Sequence, residues 1–299
     1  DFNKALEAEP ANLSFRESRA MALAADNQFQ LALTDHLILV NARPDVPAVY
    51  LARGYAFLAA GLTDGALNDF DRAIALNDSF VIAYEARGTL YLSRGLYDWA
   101  ISDLSTALHL TPESVSARVL RGTAHHNSGA YDSAISDFTA ALKIDPTAAD
   151  AFSNRAATYQ QLGRKMDALT DLSEAVRLRP STNTHFARAL HSAALGQHAA
   201  ALEDLDAALA IDRTFAPAYL NRGRARMDLG DNHGAMSDFD QAGVRMPESA
   251  PALMARGMAW ATHDRMDEAL PDYRHAVRLD SGDPQFQNNL GVALCRAGD

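Results

Sequence analysis

The sequence is poor in cysteine, in long apolar runs and in positive charge. Its one cysteine, Cys295, excludes an internal disulfide framework and a metal site built from several cysteines. No apolar stretch approaches the roughly 18 residues that a membrane-spanning helix requires. Lys and Arg number 27 against 38 Asp and Glu, so the formal net charge is −11. This balance argues against a nucleic-acid-binding protein, because such proteins present a basic face.

Motifs that mark common catalytic sites are also missing. The chain has no glycine-rich phosphate loop, no GxSxG turn and no HExxH helix. Its ten histidines are scattered along the chain. The one adjacent pair, His125 and His126, would point about 100° apart on a helix and could not hold one metal ion together. We therefore expect a protein that is not an enzyme, with no cofactor and no metal site in these residues.

What the sequence does contain is a repeat with a period of 34 residues, clearest in Val81–Ser114. When this segment is numbered 1 to 34, positions 8, 20 and 27 are small, position 24 is large and apolar, and position 32 is proline. These positions hold Gly88, Ala100, Ala107, Leu104 and Pro112, and 34 residues later Gly122, Ala134, Ala141, Phe138 and Pro146. A fixed period of this length is typical of a solenoid, in which each unit buries its apolar face against the next.

Each repeat is predicted to be a pair of helices. Apolar residues recur at helical spacing on both sides of Gly95. Glycine tolerates the left-handed backbone at a helix end, so Gly95 at position 15 predicts the turn between the two helices. Pro112 predicts the end of the second helix, because proline cannot continue it. The small residues would let the helices approach closely, and the large ones would fill the space between them.

This pattern resembles the tetratricopeptide repeat, with an aromatic residue at position 4, Gly at 8, Ala at 20 and 27, and Pro at 32. The resemblance extends over the whole chain. It implies an all-α fold, an α-solenoid in which helix-turn-helix repeats form a right-handed superhelix. Position 7 is Arg instead of the leucine more common in that family, so the array resembles the Arg–Gly variety of the repeat.

The repeat pattern predicts a single array over residues 1–299. Residues 1–12 are predicted to be the second helix of a truncated repeat, and residues 284–299 the first helix of another. The full repeats are 13–46, 47–80, 81–114, 115–148, 149–181, 182–215, 216–249 and 250–283. Because neither end shows the polar cap that terminates a solenoid, we expect the chain to be part of a longer protein.

Two charged positions follow the period: Arg at position 7 and Asp at position 23. Each lies eight residues from the turn near position 15, so antiparallel helices place the two at the same height. We predict Arg–Asp contacts within each repeat and leave open contacts between neighbouring repeats. The pairs are Arg19–Asp35, Arg53–Asp69, Arg87–Asp103, Arg121–Asp137, Arg155–Asp171, Arg188–Asp204, Arg222–Asp238 and Arg256–Asp272. Phosphate binding by the arginines is less favoured, because every Arg has its own Asp.

The resemblance also implies a partner-binding groove, lined by positions 2, 5, 6, 9, 12 and 13 of the first helices. Apolar residues at such positions are typical of a recognition surface, and methionine suits an adaptable one. Asparagine at position 6 is used in the family to hold a peptide backbone. The candidates are Asn154, Phe186, Leu190, Leu220, Asn221, Met227, Met254, Met258, Leu51, Tyr55 and Leu58. The alternative is that these side chains are partly buried against neighbouring first helices.

The groove residues indicate which partner is expected. The family's clamp for chaperone C-terminal carboxylates needs Lys at position 5 and Asn at position 9, and neither is found in any repeat. A groove that is apolar and mildly acidic, with residues such as Glu17, Glu85 and Asp228, favours an apolar or basic segment of a protein or peptide. We expect neither nucleic acid nor membrane insertion.

The function that these observations favour is a non-catalytic scaffold or adaptor for protein–protein interaction. One alternative is the substrate-recognition arm of an enzyme, such as a glycosyltransferase, whose catalytic domain lies outside this segment. Another is a structural component of a large assembly that contacts its partners by the outer face and the ends. A repeat family hosts many roles, so the fold alone does not choose between them.

Overall fold

A computed structural model of the chain describes residues 2–298, which form eighteen α-helices and no strand. The chain divides within helix α10 (Ala149–Gln161) into two compact units, one up to Ala151 and one from Phe152. The first unit contains α1 (Phe2–Ala8), α2 (Leu13–Ala25), α3 (Phe29–Ala42), α4 (Pro47–Ala59), α5 (Thr63–Leu76), α6 (Val81–Ser93), α7 (Tyr97–Leu110), α8 (Val115–Asn127) and α9 (Tyr131–Ile144). The second contains α11 (Lys165–Leu178), α12 (Thr182–Ala194), α13 (His198–Ile211), α14 (Ala216–Asp228), α15 (Asn232–Arg245), α16 (Ala250–Thr262), α17 (Met266–Leu279) and α18 (Pro284–Ala297).

Local sequence fixes where these helices begin and end. Helix α8 begins after Ser114, whose hydroxyl accepts a hydrogen bond from the backbone N–H of Ala117. The turn between the two helices of a repeat has a left-handed residue at position 15, such as Gly95 with φ of 72°. Two repeats use Asn27 and Asp264 there, the residue types other than glycine that adopt this backbone most readily.

Within each unit the helices pack in chain order. Each first helix lies against the second helix of its own repeat, as α6 does against α7, and that second helix lies against the next first helix, α8. Ala100 and Ala107 of α7 are fully buried between these neighbours. The architecture is therefore an α-solenoid in which the small residues of the repeat line the contacts between helices.

None of the helices formed by residues 2–298 combines the length and the apolar character needed to cross a lipid bilayer.

Candidate functional site

The Arg at position 7 donates two hydrogen bonds to the Asp at position 23 of the same repeat. In α6 and α7, Arg87 Nε and Nη2 each lie 2.7 Å from an oxygen of Asp103. The same arrangement, at 2.6–2.9 Å, joins Arg19–Asp35, Arg53–Asp69, Arg121–Asp137, Arg155–Asp171, Arg188–Asp204, Arg222–Asp238 and Arg256–Asp272. All eight Asp residues are buried. A planar guanidinium can satisfy both oxygens of a buried carboxylate in this way.

The same arginines also reach the preceding repeat, through position 25. Arg87 Nη1 lies 2.6 Å from Asp71, Arg222 Nη1 lies 2.7 Å from Asp206, and Arg121 Nη1 lies 3.1 Å from the hydroxyl of Ser105. These contacts to position 25 add to the predicted contacts with the Asp at position 23. The sequence signal for position 25 is that six consecutive repeats have a short polar residue there: Asp71, Ser105, Thr139, Ser173, Asp206 and Asp240.

Some of the buried carboxylates accept a third donor. Arg16 Nη1 lies 2.9 Å from Asp35, and His185 Nδ1 lies 2.8 Å from Asp204. Burial alone would raise the pKa of Asp35, but the hydrogen bonds and charges of Arg19 and Arg16 outweigh it and hold that pKa below its usual value. His185 stands at position 4 of its repeat, where other repeats have Tyr84 and Tyr219, and there its Nδ1 bonds the carboxylate of Asp204.

Three of the candidates, all at position 5 of their first helices, are buried, as the alternative to a recognition surface predicts. Leu51, Leu220 and Met254 are only 9%, 8% and 4% exposed. Leu51 belongs to the same apolar cluster as Ala83 and Ala86 of the next first helix, α6. Ala83 and Ala86 are small, so α6 leaves room for the side chain of Leu51 to pack against it.

The candidates in the first unit remain partly accessible. Tyr55 is 46% exposed and its ring meets that of Phe70 edge to face, with the centroids 5.6 Å apart. Burial of the phenol and the charge of Glu85 raise the pKa of Tyr55. Leu58 is half-buried and packs against the cluster that contains Leu51.

In the second unit, Phe186 and Leu190 lie on α12. Phe186 is half-buried, and its ring contacts that of Phe215 edge to face at 5.0 Å. Leu190 is 40% exposed. Asn154 is half-buried on α10, and the amide of Asn221 donates to the carbonyl of Pro217 one turn earlier on α14. The Asn221 amide therefore has an acceptor within its own helix.

An open cavity of about 370 Å³ lies on the first-helix face of the second unit, between α14, α16 and α18. We call it the α14–α16–α18 cavity. It is lined by Arg224, Met227, Phe239, Pro251, Met254, Ala255, Met258, Gln285, Phe286 and Asn289. Its volume falls within the roughly 300–1,000 Å³ of known ligand pockets. The structure thus brings together Met227, Met254 and Met258 from the predicted set, and leaves Phe186, Leu190 and Asn221 outside the lining.

The walls of the cavity are mostly apolar. Met254 packs with Phe286 in one buried cluster, and Met258 is 41% exposed at the opening. The amide of Asn289 lies 3.6 Å from the sulfur of Met254 and 3.9 Å from that of Met258, which are weak acceptors. A smaller cavity of about 180 Å³, which shares Met258 and Asn289, continues along α16 and α18.

Among residues 2–298 the structure places no group of three or more His, Cys, Asp or Glu side chains that could hold a metal ion.

With this geometry established, the chain can be compared with known proteins. The sequence profile described as tetratricopeptide repeat matches residues 51–104, 85–149 and 220–284, which together exceed half of the chain. A second profile of the same description matches residues 138–170. The chain belongs to the tetratricopeptide repeat family. A search of curated protein sequences gives no significant match.

Solved structures of other tetratricopeptide repeat proteins are similar to this chain. YrrB, whose structure is described as a TPR protein with an unusual peptide-binding site, is 18% identical, with a TM-score of 0.55 over 62% of this chain and 96% of its own. PilF from Pseudomonas aeruginosa is 20% identical, with a TM-score of 0.62 over 71% of this chain and 96% of its own. One chain of the APC/C hetero-tetramer Cut9–Hcn1 is 16% identical, with a TM-score of 0.62 over 97% of this chain and 56% of its own. At these identities the similarity shows the fold alone.

In the numbering of the tetratricopeptide repeat, most residues of the α14–α16–α18 cavity stand at the positions that the resemblance assigns to the groove. The exceptions are Phe239 at position 24 and Phe286 at position 3. Sequence reasoning missed Phe286, because position 3 is alanine in most full repeats and is not among the groove positions. It also passed over Arg224, which stands at position 9 beside the predicted methionines.

Proposed function

We propose that this tetratricopeptide repeat array is a non-catalytic scaffold that binds a segment of a partner protein along its first helices. The observation that carries the proposal is the α14–α16–α18 cavity, which opens on that face and is lined by methionine and phenylalanine. Apolar side chains that surround an accessible cavity gain stability when another apolar group displaces the water from it.

The chemistry of the lining supports binding. Its polar members are Arg224, Gln285 and Asn289, which can hydrogen-bond a partner but offer neither a nucleophile nor a general base at neutral pH. The unbranched thioethers of Met227 and Met258 can adjust to side chains of different shape. Such a surface suits a partner segment anchored by one large apolar side chain.

A peptide selection tests this proposal. Peptides chosen from a randomised displayed library against the whole chain would be labelled, and their affinities measured by fluorescence polarisation. We expect the double variant Met227→Ser/Met258→Ser to weaken these peptides about tenfold or more, because both substitutions remove apolar contact from the opening. The matched control is Met166→Ser on α11, a methionine that is 61% exposed on a second helix.

The proposal requires that the variants lose peptide affinity without losing their fold. Circular dichroism and thermal unfolding would establish that both variants fold as the wild type does. Peptides that lose affinity for the double variant and keep it for Met166→Ser would support the proposal. A library that yields no binding peptide, or peptides that bind all three proteins equally, would contradict it.

A further inference from the structure

Arg224 on α14 lines the α14–α16–α18 cavity without an acidic partner. No hydrogen bond or ion pair within residues 2–298 involves its side chain. The two neighbouring arginines of the same helix are paired. Arg222 binds Asp238 and Asp206, and Arg226 lies 2.7 Å from Asp238. Arg224 is therefore the cation of α14 whose counter-charge is missing.

The acidic residue closest to Arg224 along the helix is directed elsewhere. Asp228 stands four residues further on, a spacing that would allow an ion pair on a helix surface. Its carboxylate instead lies 3.1 Å from Nδ1 of His198 on α13. The structure therefore leaves Arg224 unpaired although a carboxylate stands at the right spacing.

The surroundings of Arg224 add to the need for a counter-charge. The residue as a whole is exposed, yet the atoms around its guanidinium displace part of the hydration and lower its pKa. A cation that loses hydration without a partner is disfavoured, and an incoming carboxylate restores the lost interaction.

Two further donors lie at the same opening. The side chain of Gln285 has no hydrogen-bond partner within residues 2–298, and the amide of Asn289 has only the two methionine sulfurs. The polar rim of the cavity thus offers N–H donors from Arg224, Gln285 and Asn289, whose only bound acceptors are these sulfurs. This arrangement is complementary to the oxygens of a carboxylate.

We infer that the α14–α16–α18 cavity selects a protein segment in which a large apolar side chain is close to an acidic side chain. The apolar group enters between Met227, Met258 and Phe286, and the carboxylate binds Arg224. This inference rests on the proposed function. It also reverses, at this one cavity, the preference for an apolar or basic segment that acidic groove residues such as Glu17 and Glu85 led us to expect.

The net charge of the chain opposes the binding of an acidic segment. With a net charge of −11, the chain as a whole repels an acidic peptide. Screening confines charge interactions to about 8 Å at physiological ionic strength, so only a cation in direct contact can produce a preference for acidic segments. Arg224 is the cation in the lining of this cavity.

The test uses the peptides selected against the whole chain. Each acidic residue of a selected peptide would be replaced by its amide, and affinities would be measured for the wild type and for Arg224→Gln. The matched control is Arg278→Gln, which removes the same charge from an exposed arginine of α17 that makes no hydrogen bond or ion pair within residues 2–298. We expect Arg224→Gln and the peptide amide each to weaken binding about tenfold, and the two together to cost no more than either alone.

The two proposals fail in different ways. Peptides that bind but are indifferent to Met227→Ser/Met258→Ser would contradict the proposed function. Peptides that need those methionines, yet bind Arg224→Gln as tightly as they bind the wild type, would overturn the inference. The proposed function would still stand. A loss of affinity in Arg278→Gln equal to that in Arg224→Gln would also overturn it, because the effect would then be one of net charge.

Discussion

The missing side chain of Gly122 makes room for the ring of Phe138. A Cβ atom on Gly122 would lie 2.7 Å from Cε1 of that ring, closer than such contacts occur. The other repeats with phenylalanine at position 24 also have glycine at position 8, as in Gly54–Phe70 and Gly223–Phe239. Where position 8 is alanine, position 24 is smaller, as in Ala156–Leu172, Ala189–Leu205 and Ala20–His36. Every full repeat with phenylalanine at position 24 is thus matched by glycine at position 8.

This match predicts the effect of filling the space at position 8. Gly122→Ala should lower the free energy of unfolding by about 1–3 kcal/mol, because the ring must shift within a closely packed core. The loss should shrink when Phe138→Leu is added, since alanine and leucine already occupy these positions together in other repeats. Urea unfolding of the two single variants and the double variant measures the coupling.

The control for the Gly122→Ala and Phe138→Leu variants is Gly291→Ala on α18, where a Cβ would meet nothing within 4 Å. It should raise the free energy of unfolding by about 0.5–1 kcal/mol, because alanine favours a helix more than glycine does. Strict additivity of Gly122→Ala and Phe138→Leu would contradict this match between positions 8 and 24.

The Arg–Asp contacts predict unequal effects for the two partners of Arg87. Asp103 is buried, whereas the side chain of Asp71 is 48% exposed. Asp103→Asn should cost about 3–5 kcal/mol of unfolding free energy, because it leaves a partly buried guanidinium without its main partner. Asp71→Asn should cost about 0–1 kcal/mol, since water and salt screen that contact.

Urea denaturation at low and at high salt measures the losses of unfolding free energy in Asp103→Asn and Asp71→Asn. Added salt should reduce the small effect of Asp71→Asn and leave most of the effect of Asp103→Asn. Equal losses from the two substitutions would show that the Arg87–Asp103 contact contributes no more to stability than the Arg87–Asp71 contact.

His36 is predicted to destabilise the first unit. It is buried at position 24, and its Nδ1 has no hydrogen-bond partner among the described residues. His36→Leu should raise the free energy of unfolding by about 1–3 kcal/mol, because leucine fits beside alanine at position 8 and leaves no buried polar atom unsatisfied. His109→Gln, at an exposed site of α7, should change it by less than about 0.5 kcal/mol.

The gain from His36→Leu should depend on pH. Burial lowers the pKa of His36, so the folded state binds a proton less readily than the unfolded state, whose histidine titrates near about 6.5. The wild type therefore loses stability as the pH falls below that value, whereas the variant has no histidine at this position to titrate. The stability gained by His36→Leu should therefore be larger at pH 5 than at pH 8. A gain that is the same at pH 8 and pH 5 in urea titrations would contradict the account.

Asp35 provides the opposite titration. Its pKa in the folded protein is below the value of about 3.9 in the unfolded chain, because the bonds from Arg19 and Arg16 outweigh burial. The stability that these bonds supply is present above that pH and is lost as the pH falls towards the folded pKa. The difference in unfolding free energy between wild type and Asp35→Asn should therefore shrink from pH 5 to pH 3. A constant difference over this range would exclude Asp35 as a source of acid sensitivity.

The sequence by itself determined the elements that depend on local chemistry. Gly95 and its equivalents set the turns, the 34-residue period set the pairs of helices, and antiparallel geometry placed Arg87 at the height of Asp103. These features follow from spacing along the chain, because a helix of known period converts residue number directly into height and direction.

The tertiary structure decided what depends on the distance between neighbouring helices. That distance buried Leu51, directed Arg87 to Asp71 as well as to Asp103, and opened a cavity between α14, α16 and α18. It also left Arg224 without a carboxylate while Asp228 lies against His198. The sequence alone could not predict these features. The separation of two helices depends on how side chains from several repeats pack together, and the 34-residue period does not contain that information.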